Sequence, residues 1–295
     1  MPPTVSVLVS AYLSHETIGA FLECLRRQTW RDFETVVVDS SPDERTTRVV
    51  EAFPEVKLVR SETRLRPHHA RNLGIQSCRG ELLVCFDPDV YPQPECIERL
   101  VAAHRASGQP ISGAIDSWGR GWLETGIHLT KFSKWLPGQP AGPVDVGPTC
   151  NFLVSRRMFD QVGGFDSGHV MLADAWFSWE LARHGWEVRL EPGAVVAHHH
   201  LSDARSFLAE RYGRGTMYAT MRLDWEKRDR GRSLLLFGVS ILPIRLPRIL
   251  VLVARHAARA GRSRDFWRTL PLVALGHQAS LLGEARGYAR SLFKS

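Results

Sequence analysis

The 295-residue sequence has few cysteines: Cys24, Cys78, Cys85, Cys96 and Cys150 are scattered, odd in number and never form a CxxC pair. This argues against a disulfide framework or a zinc ribbon and favours a reducing compartment. The amino terminus, MPPTVSVLVSAY, has no charged n-region followed by an apolar h-region, so it reads as a first strand and not as a signal peptide. After that strand, SAYLSHET holds neither a Gly-rich loop nor a Lys or Arg to hold phosphates, which counts against a nucleotidyltransferase. Long uninterrupted apolar runs are also missing. Leu234–Ala254 has the length of a bilayer span but is broken by Pro243, Arg245, Pro247 and Arg248. A central Arg costs about 2.5–3.5 kcal/mol on insertion scales. The segment is therefore expected to lie in a membrane interface, as a helix or re-entrant hairpin with its arginines at the headgroups. The alternatives are a helical subdomain packed on the core and a dimer interface.

Apolar residues make up 44% and charged residues 23% of the chain, which excludes wholesale disorder. The net charge of +7 is unevenly spread: from Arg205 onward there are 18 Lys and Arg against 6 Asp and Glu, and before it 20 against 25. Two parts are expected, 1–204 and a helical, basic and apolar tail at 205–295. Because apolar residues interleave with the basic ones, an anionic membrane suits the tail better than nucleic acid does. The expected location is cytoplasmic, peripheral on the inner face of the cell membrane.

The first part alternates short β-branched apolar runs with segments of helical spacing. VSVLVSAY and FETVVVDSS read as buried strands, VKLVRS as a third strand and GELLVCFDPD as a fourth, separated by ETIGAFLECLRRQ, DERTTRVVEAF and HHARNLGIQSC as helices. This βαβαβαβ order predicts an α/β fold with a mainly parallel, Rossmann-like sheet flanked by helices. Ligands of such sheets bind beyond the carboxyl ends of the strands, where Tyr12, Asp39, Asp87 and Asp89 all fall. Farther on, PECIERLVAAHRA predicts a helix opened by Pro94, and residues 112–150, rich in Gly, Pro and Trp, predict long loops. DAWFSWELARHG predicts another helix, and EVRLEPGAVVAHHH two short strands ending in three histidines.

Asp87-Pro88-Asp89 places two carboxylates in one turn after a buried strand. Hard cations such as Mg²⁺ and Mn²⁺ take carboxylate oxygens and often share a site with substrate phosphates. A solvated turn is the competing reading for such a pair. The position at the end of the fourth strand in the series favours the metal.

Three blocks carry a family resemblance. Residues 5–46 contain the CLRRQ helix and the strand end VVDSSPD, residues 68–89 contain ARNLGIQSCRGE and DPD, and NFLVSRRMFDQVGGFD is followed by ADAWFSWELARHGWEV. In this order, over residues 4–200, they resemble family 2 glycosyltransferases of the GT-A fold, inverting enzymes that use nucleotide-diphosphate sugars. The resemblance implies transfer of a sugar, from a UDP-sugar, to an acceptor hydroxyl of a saccharide or lipid-linked molecule in cell-envelope glycan or glycolipid synthesis. Asp39 would accept a hydrogen bond from the base, Ser10, Ala11 and Tyr12 would line its pocket, and Arg71 would lie near the phosphates. Asp87 would contact the ribose, while Asp89 and His198 would hold Mn²⁺ or Mg²⁺, with His200 the second choice for the imidazole. Asp174 would be the catalytic base, although Ala173 stands where the family has a Glu. Helix capping is the ordinary role for an Asp at such a position. Trp176 is the acceptor-platform candidate among tryptophans 118, 122, 135, 176 and 179, any of which could instead be core. A non-catalytic scaffold on this fold would be free to lose Asp89 or Asp174, and both are present.

Overall fold

The computed structural model describes the chain except for residues 1, 166–167, 169–170, 201–202, 227–229, 243 and 293–295 and the side chains of 230–233 and 241. Asp166, the last residue of the expected VGGFD turn, lies outside the described residues. The preceding Gly163 and Gly164 adopt φ values of 87° and 84°, which glycine tolerates without strain.

The amino-terminal alternation folds as β1 (Val5–Ala11), α1 (Ile18–Arg26), β2 (Phe33–Asp39), α2 (Arg45–Glu51), β3 (Val56–Arg60), α3 (Pro67–Ile75) and β4 (Leu82–Phe86). Strands β3, β2, β1 and β4 pair in parallel in that order. The apolar runs of β1, β2 and β4 are buried because helices cover the sheet, while those of the edge strand β3 are half-buried. Helix α3 lies so close to the sheet that a Cβ on Gly74 would stand 2.4 Å from a methyl of Leu8 and 2.7 Å from one of Val38.

Beyond β4 the sheet becomes mixed. The elements are β5 (Val90–Pro92), α4 (Cys96–Ser107), β6 (Ile111–Ser117), α5 (Trp122–Phe132), a 3-10 turn at Ser133–Trp135, β7 (Gly142–Pro143), β8 (Asn151–Ser155), α6 (Arg156–Val162), α7 (Ala173–Arg183) and β9 (Arg189–His198). The full order is β3-β2-β1-β4-β8-β6-β9-β5, with β7 on β9. Pairs β4–β8, β6–β8, β5–β9 and β7–β9 are antiparallel, and β6–β9 is parallel.

Two expectations are corrected here. Much of 112–150 is regular structure, because its small residues serve close packing rather than looping. A Cβ on Gly113 would lie 2.1 Å from the Asn151 amide, and one on Gly126 would lie 2.6 Å from Leu272. The segment 189–198 is one strand, not two, because the β6–β9 register shift takes up Pro192 and Gly193 as an irregularity. The buried Asn151 fastens this shift, its amide donating to Ala114 O (2.9 Å) and Ala194 O (2.8 Å).

Two compact units result. The first holds residues 1–118, 140–168 and 173–199; the second holds 119–139, 169–172 and 200–295. The second unit contains α5, α8 (Ala204–Glu226), α9 (Arg230–Ile241), α10 (Arg245–Arg259) and the long α11 (Ser263–Leu292). Within it, α8 and α11 meet at glycines: a Cβ on Gly215 would lie 2.0 Å from Ser280 O, and one on Gly283 2.0 Å from Tyr212 O. Helix α10 packs Ile249, Leu250, Val253, Ala254 and Ala257 against Leu129, Leu136, Phe266 and Val273. Its other face exposes Arg248, Val251, Leu252, Arg255 and Arg259.

Arg245 does not reach outward as expected of a headgroup arginine. It pairs with buried Glu284 at 2.8 Å, since that carboxylate requires a cation inside the unit. Among the described residues no single helix is long and apolar enough to cross a membrane. Leu234–Ser240 and Arg245–Arg259, bent by 62°, could do so as a pair by length and composition alone.

Candidate active site

Sheet register assembles the site in the first unit. In the β4–β8 pair Phe86 faces Asn151, so the next residues outward, Asp87 and Cys150, stand beside each other at the mouth of the sheet. In the β5–β9 pair Val90 faces His198, which brings the end of the Asp87-Pro88-Asp89 turn to the end of β9. The His199 amide donates to Asp89 O at 2.9 Å and pins that junction. As a result one ligand atom each from Asp87, Cys150 and His198 lie within 4.8 Å of one another. The expected pairing of Asp89 with His198 differs from this grouping, in which Asp87 is the carboxylate and Cys150 is the third group.

Arg71, buried on α3, donates to Asp87 Oδ1, and its Nε is buried without a hydrogen-bond partner. The residue expected near phosphates therefore sits on the carboxylate of the candidate metal site. Burial pushes the Cys150 thiol well above its ordinary range; the charges of Asp87, Asp89 and Asp174, in that order, push it further, and Arg71 opposes them. The three carboxylates picked out from the sequence thus converge electrostatically on one buried sulfur. Burial, then Asp89, raises the Tyr91 phenol. A carboxylate, a thiol and an imidazole at this spacing make a donor set that suits a divalent cation, borderline-soft metals included.

Asp39 lies at the end of β2, opposite Ala11 of β1. It is fully buried, and protein donors engage both of its oxygens. Ser41 N (2.9 Å) and Ser41 Oγ (2.6 Å) donate to Oδ1; Thr47 Oγ1 (2.8 Å) and Arg60 (2.7 Å) donate to Oδ2. The neighbouring turn is equally defined. Tyr12 N donates to Ser14 Oγ (3.2 Å) and carries the Arg64 guanidinium 4.3 Å over its ring, and Leu13, at φ 52°, donates from its amide to Ser41 Oγ (2.8 Å). A left-handed leucine beside a predicted base pocket is the kind of backbone strain that collects at functional sites.

Asp174 is the second residue of α7, and its Oδ1 accepts the Ala175 N–H at 2.9 Å. Trp176 is half-buried on that helix. Trp118 is 57% exposed and packs on Tyr91 with ring centroids 4.5 Å apart, beside the Asp89 turn. His200 belongs to the second unit, where it hydrogen-bonds His128 at 3.0 Å.

Sequence reasoning did not select Cys150. The residue precedes an antiparallel strand, and only pairing with β4 carries it to Asp87. The signal that could have found it is the apolar run at Asn151–Ser155, which requires a neighbour in the sheet.

Residues 6–163, more than half of the chain, match the model of the glycosyl transferase family 2. The succinoglycan biosynthesis protein ExoO of Rhizobium meliloti (strain 1021) is 32% identical over 117 residues, 39% of this chain and 33% of that protein. The amylovoran biosynthesis glycosyltransferase AmsB of Erwinia amylovora is 33% identical over 146 residues, 47% of this chain and 46% of its own. The chain thus spans about a third to a half of the length of these curated relatives. The mannosyltransferase PcManGT of Pyrobaculum calidifontis, solved with GDP-Man and Mn²⁺, shares the fold with a TM-score of 0.58 at 19% identity, over 100% of this chain and 77% of that one. The family match and the α/β fold agree: the chain belongs to the family 2 glycosyl transferases.

Proposed function

We propose that this protein transfers a sugar, with inversion, from a nucleotide-diphosphate sugar to an acceptor hydroxyl in polysaccharide or glycolipid synthesis of the cell envelope. The carrying observation is that Asp87, Cys150 and His198 gather within 4.8 Å of one another at the mouth of the sheet, with Arg71 donating to Asp87 and the charges of Asp89 and Asp174 felt at Cys150. Two relatives named for polysaccharide biosynthesis support the pathway class. Asp39 and the 10–12 turn take the base of a UDP-sugar, and Arg71 faces the phosphates from α3. A divalent cation, Mn²⁺ or Mg²⁺, held by Asp87 and His198 with Asp89 adjoining, would neutralise the leaving diphosphate. Asp174 removes the proton of the attacking hydroxyl. One displacement with one base inverts the anomeric centre. Trp118 or Trp176 offers an aromatic face to the acceptor sugar.

The outward face of α10 lays Arg248, Arg255 and Arg259 beside Val251 and Leu252, each of the latter two 50% exposed. Cations flanking apolar side chains suit the inner, anionic face of a membrane and a lipid-linked acceptor. Flotation with anionic vesicles tests this: Val251→Glu with Leu252→Glu should leave the protein unbound, and retained binding would refute the face.

Isothermal titration of UDP with and without Mn²⁺ tests the donor site. Metal-dependent binding is expected, and equal affinity without metal would sink it. Nucleotide release from a panel of UDP-, GDP- and dTDP-sugars decides the donor, and the anomeric configuration of the product decides inversion.

A further inference from the structure

We propose that Cys150 makes the mouth of the sheet a capture site for thiophilic divalent cations. Zn²⁺ or Cd²⁺ would be held by Asp87, Cys150 and His198 and would displace the harder cation that serves the donor. The proposal deepens the metal site of the preceding reading, but its readout needs neither donor nor acceptor.

Among the five free cysteines, Cys78 and Cys85 pack in the hydrophobic core under the sheet, Cys96 donates to the Asn151 side chain, and Cys24 lies half-buried on α1. Cys150 is the one that stands with a carboxylate and an imidazole: among the described residues, Asp87, Cys150 and His198 are the single three-group cluster of metal-ligand type. His198 is itself paired in β5–β9, and Asp87 and Cys150 are the residues immediately beyond the last β4–β8 pair, Phe86 with Asn151, so sheet register brings the three donors together. Arg71 engages Oδ1 of Asp87; a carboxylate has a second oxygen with which to meet a cation.

The donor set decides which ions prefer the site. Mg²⁺ demands near-octahedral oxygen coordination and gains nothing from sulfur. Zn²⁺ takes Cys, His and carboxylate together in four-coordinate geometry and exceeds Mn²⁺ in intrinsic affinity for such mixed sites. Tetrahedral zinc bonds of the usual lengths set ligand atoms about 3.4–3.6 Å apart. The three donors already lie within 4.8 Å of one another, so a closure of at most about an ångström would bring them around a shared ion. On binding, the Cys150 S–H bond breaks, a sulfur–metal bond forms and the proton passes to solvent.

Cd²⁺ titration of the metal-free protein reads this directly through the near-ultraviolet thiolate-to-cadmium charge-transfer band. The expected result is one equivalent bound, one proton released, and the band lost in Cys150→Ser but kept in Cys24→Ser. A band that survives Cys150→Ser or disappears in Cys24→Ser overturns the proposal, as does the absence of any band in the wild-type protein. The wild-type protein supplies a second measurement that does not depend on the variant folding. Mn²⁺ bound to it, followed by electron paramagnetic resonance, should be released by stoichiometric Zn²⁺, with zinc binding at least tenfold tighter. Mn²⁺ that stays bound under excess Zn²⁺ refutes the displacement. If UDP binding proves metal-independent while the cadmium band appears, the donor reading fails and this one stands.

Discussion

Arg60 donates to Asp39 across 2.7 Å, and with that bond four protein donors fill the two oxygens of a fully buried carboxylate. A carboxylate offers about four acceptor directions. A nucleotide base can therefore reach Asp39 only by exchange with a donor already there. Ser41 is buried in the loop after β2 and Thr47 sits on α2, whereas the Arg60 side chain is about a third exposed and can swing to water.

The first prediction follows from that exchange. Arg60→Ala should lower stability by about 1–2 kcal/mol, less than the usual loss from a wholly buried pair because water screens the exposed guanidinium. It should leave UDP affinity unchanged or tighter, while Asp39→Asn weakens UDP binding. Thermal melts and titration calorimetry on the two variants separate these effects. Equal loss of UDP binding in both would mean that Arg60 stays on Asp39 in the bound state.

Asp174 supplies the second prediction. Asp174→Asn preserves an oxygen for the Ala175 N–H, now at 2.9 Å, so the first turn of α7 should hold. Removal of a general base costs typically about 10²–10⁴-fold in rate. Turnover should fall within that range, with UDP affinity within about threefold of the wild-type value. Lost UDP binding would instead make Asp174 a structural residue of the helix start.

The residues legible in the sequence are those whose position depends on local pattern. Asp39 and Asp87 close apolar runs that could only be strands, and His198 closes another. The order of those runs was enough to predict the parallel β3-β2-β1-β4 part of the sheet. Cys150 was not legible, because its place depends on β8 running antiparallel to β4, a pairing between residues about 65 positions apart in the chain. Nor was the fate of Arg245, whose partner Glu284 lies 39 residues away on α11. Glycines misled for a related reason: Gly113 and Gly126 look like loop formers in sequence but are contact points for Asn151 and Leu272.

The glycine contacts of the helical unit give a third prediction. A Cβ on Gly283 would lie 2.0 Å from the Tyr212 carbonyl oxygen, and backbone cannot rotate aside as a side chain can. Gly283→Ala should force α8 and α11 apart and cost at least the ~1–3 kcal/mol of ordinary overpacking. Gly238 on α9 meets nothing within 4 Å. Gly238→Ala should stabilise by about 0.4–1 kcal/mol, through lost freedom of the unfolded chain. Urea denaturation of the pair checks both signs, and a neutral Gly283→Ala would disprove the close crossing.

His277 on α11 gives a fourth prediction, the pH dependence of the same unit. Burial, then the positive charge of Arg211, pushes its imidazole down from 6.5 to about 4. Between those values the folded protein keeps His277 neutral while the unfolded chain binds a proton, so stability falls as pH drops from about 6.5 toward 4 and levels off below. At about 1.36 kcal/mol per pKa unit, the span is on the order of 3 kcal/mol. His256 on α10 is also pushed down, by burial and then by Arg259 and Lys134, and adds a loss of the same sign. His277→Gln should therefore flatten most, not all, of the decline in urea midpoint between pH 6.5 and 4. Arg211→Gln, which removes the nearby cation, should move the imidazole back up only in part, because burial is the larger cause. Proton titration of His277 followed by nuclear magnetic resonance gives the decisive number: a midpoint near 4 is expected, and one at 6 or above would show the ring to be open to water.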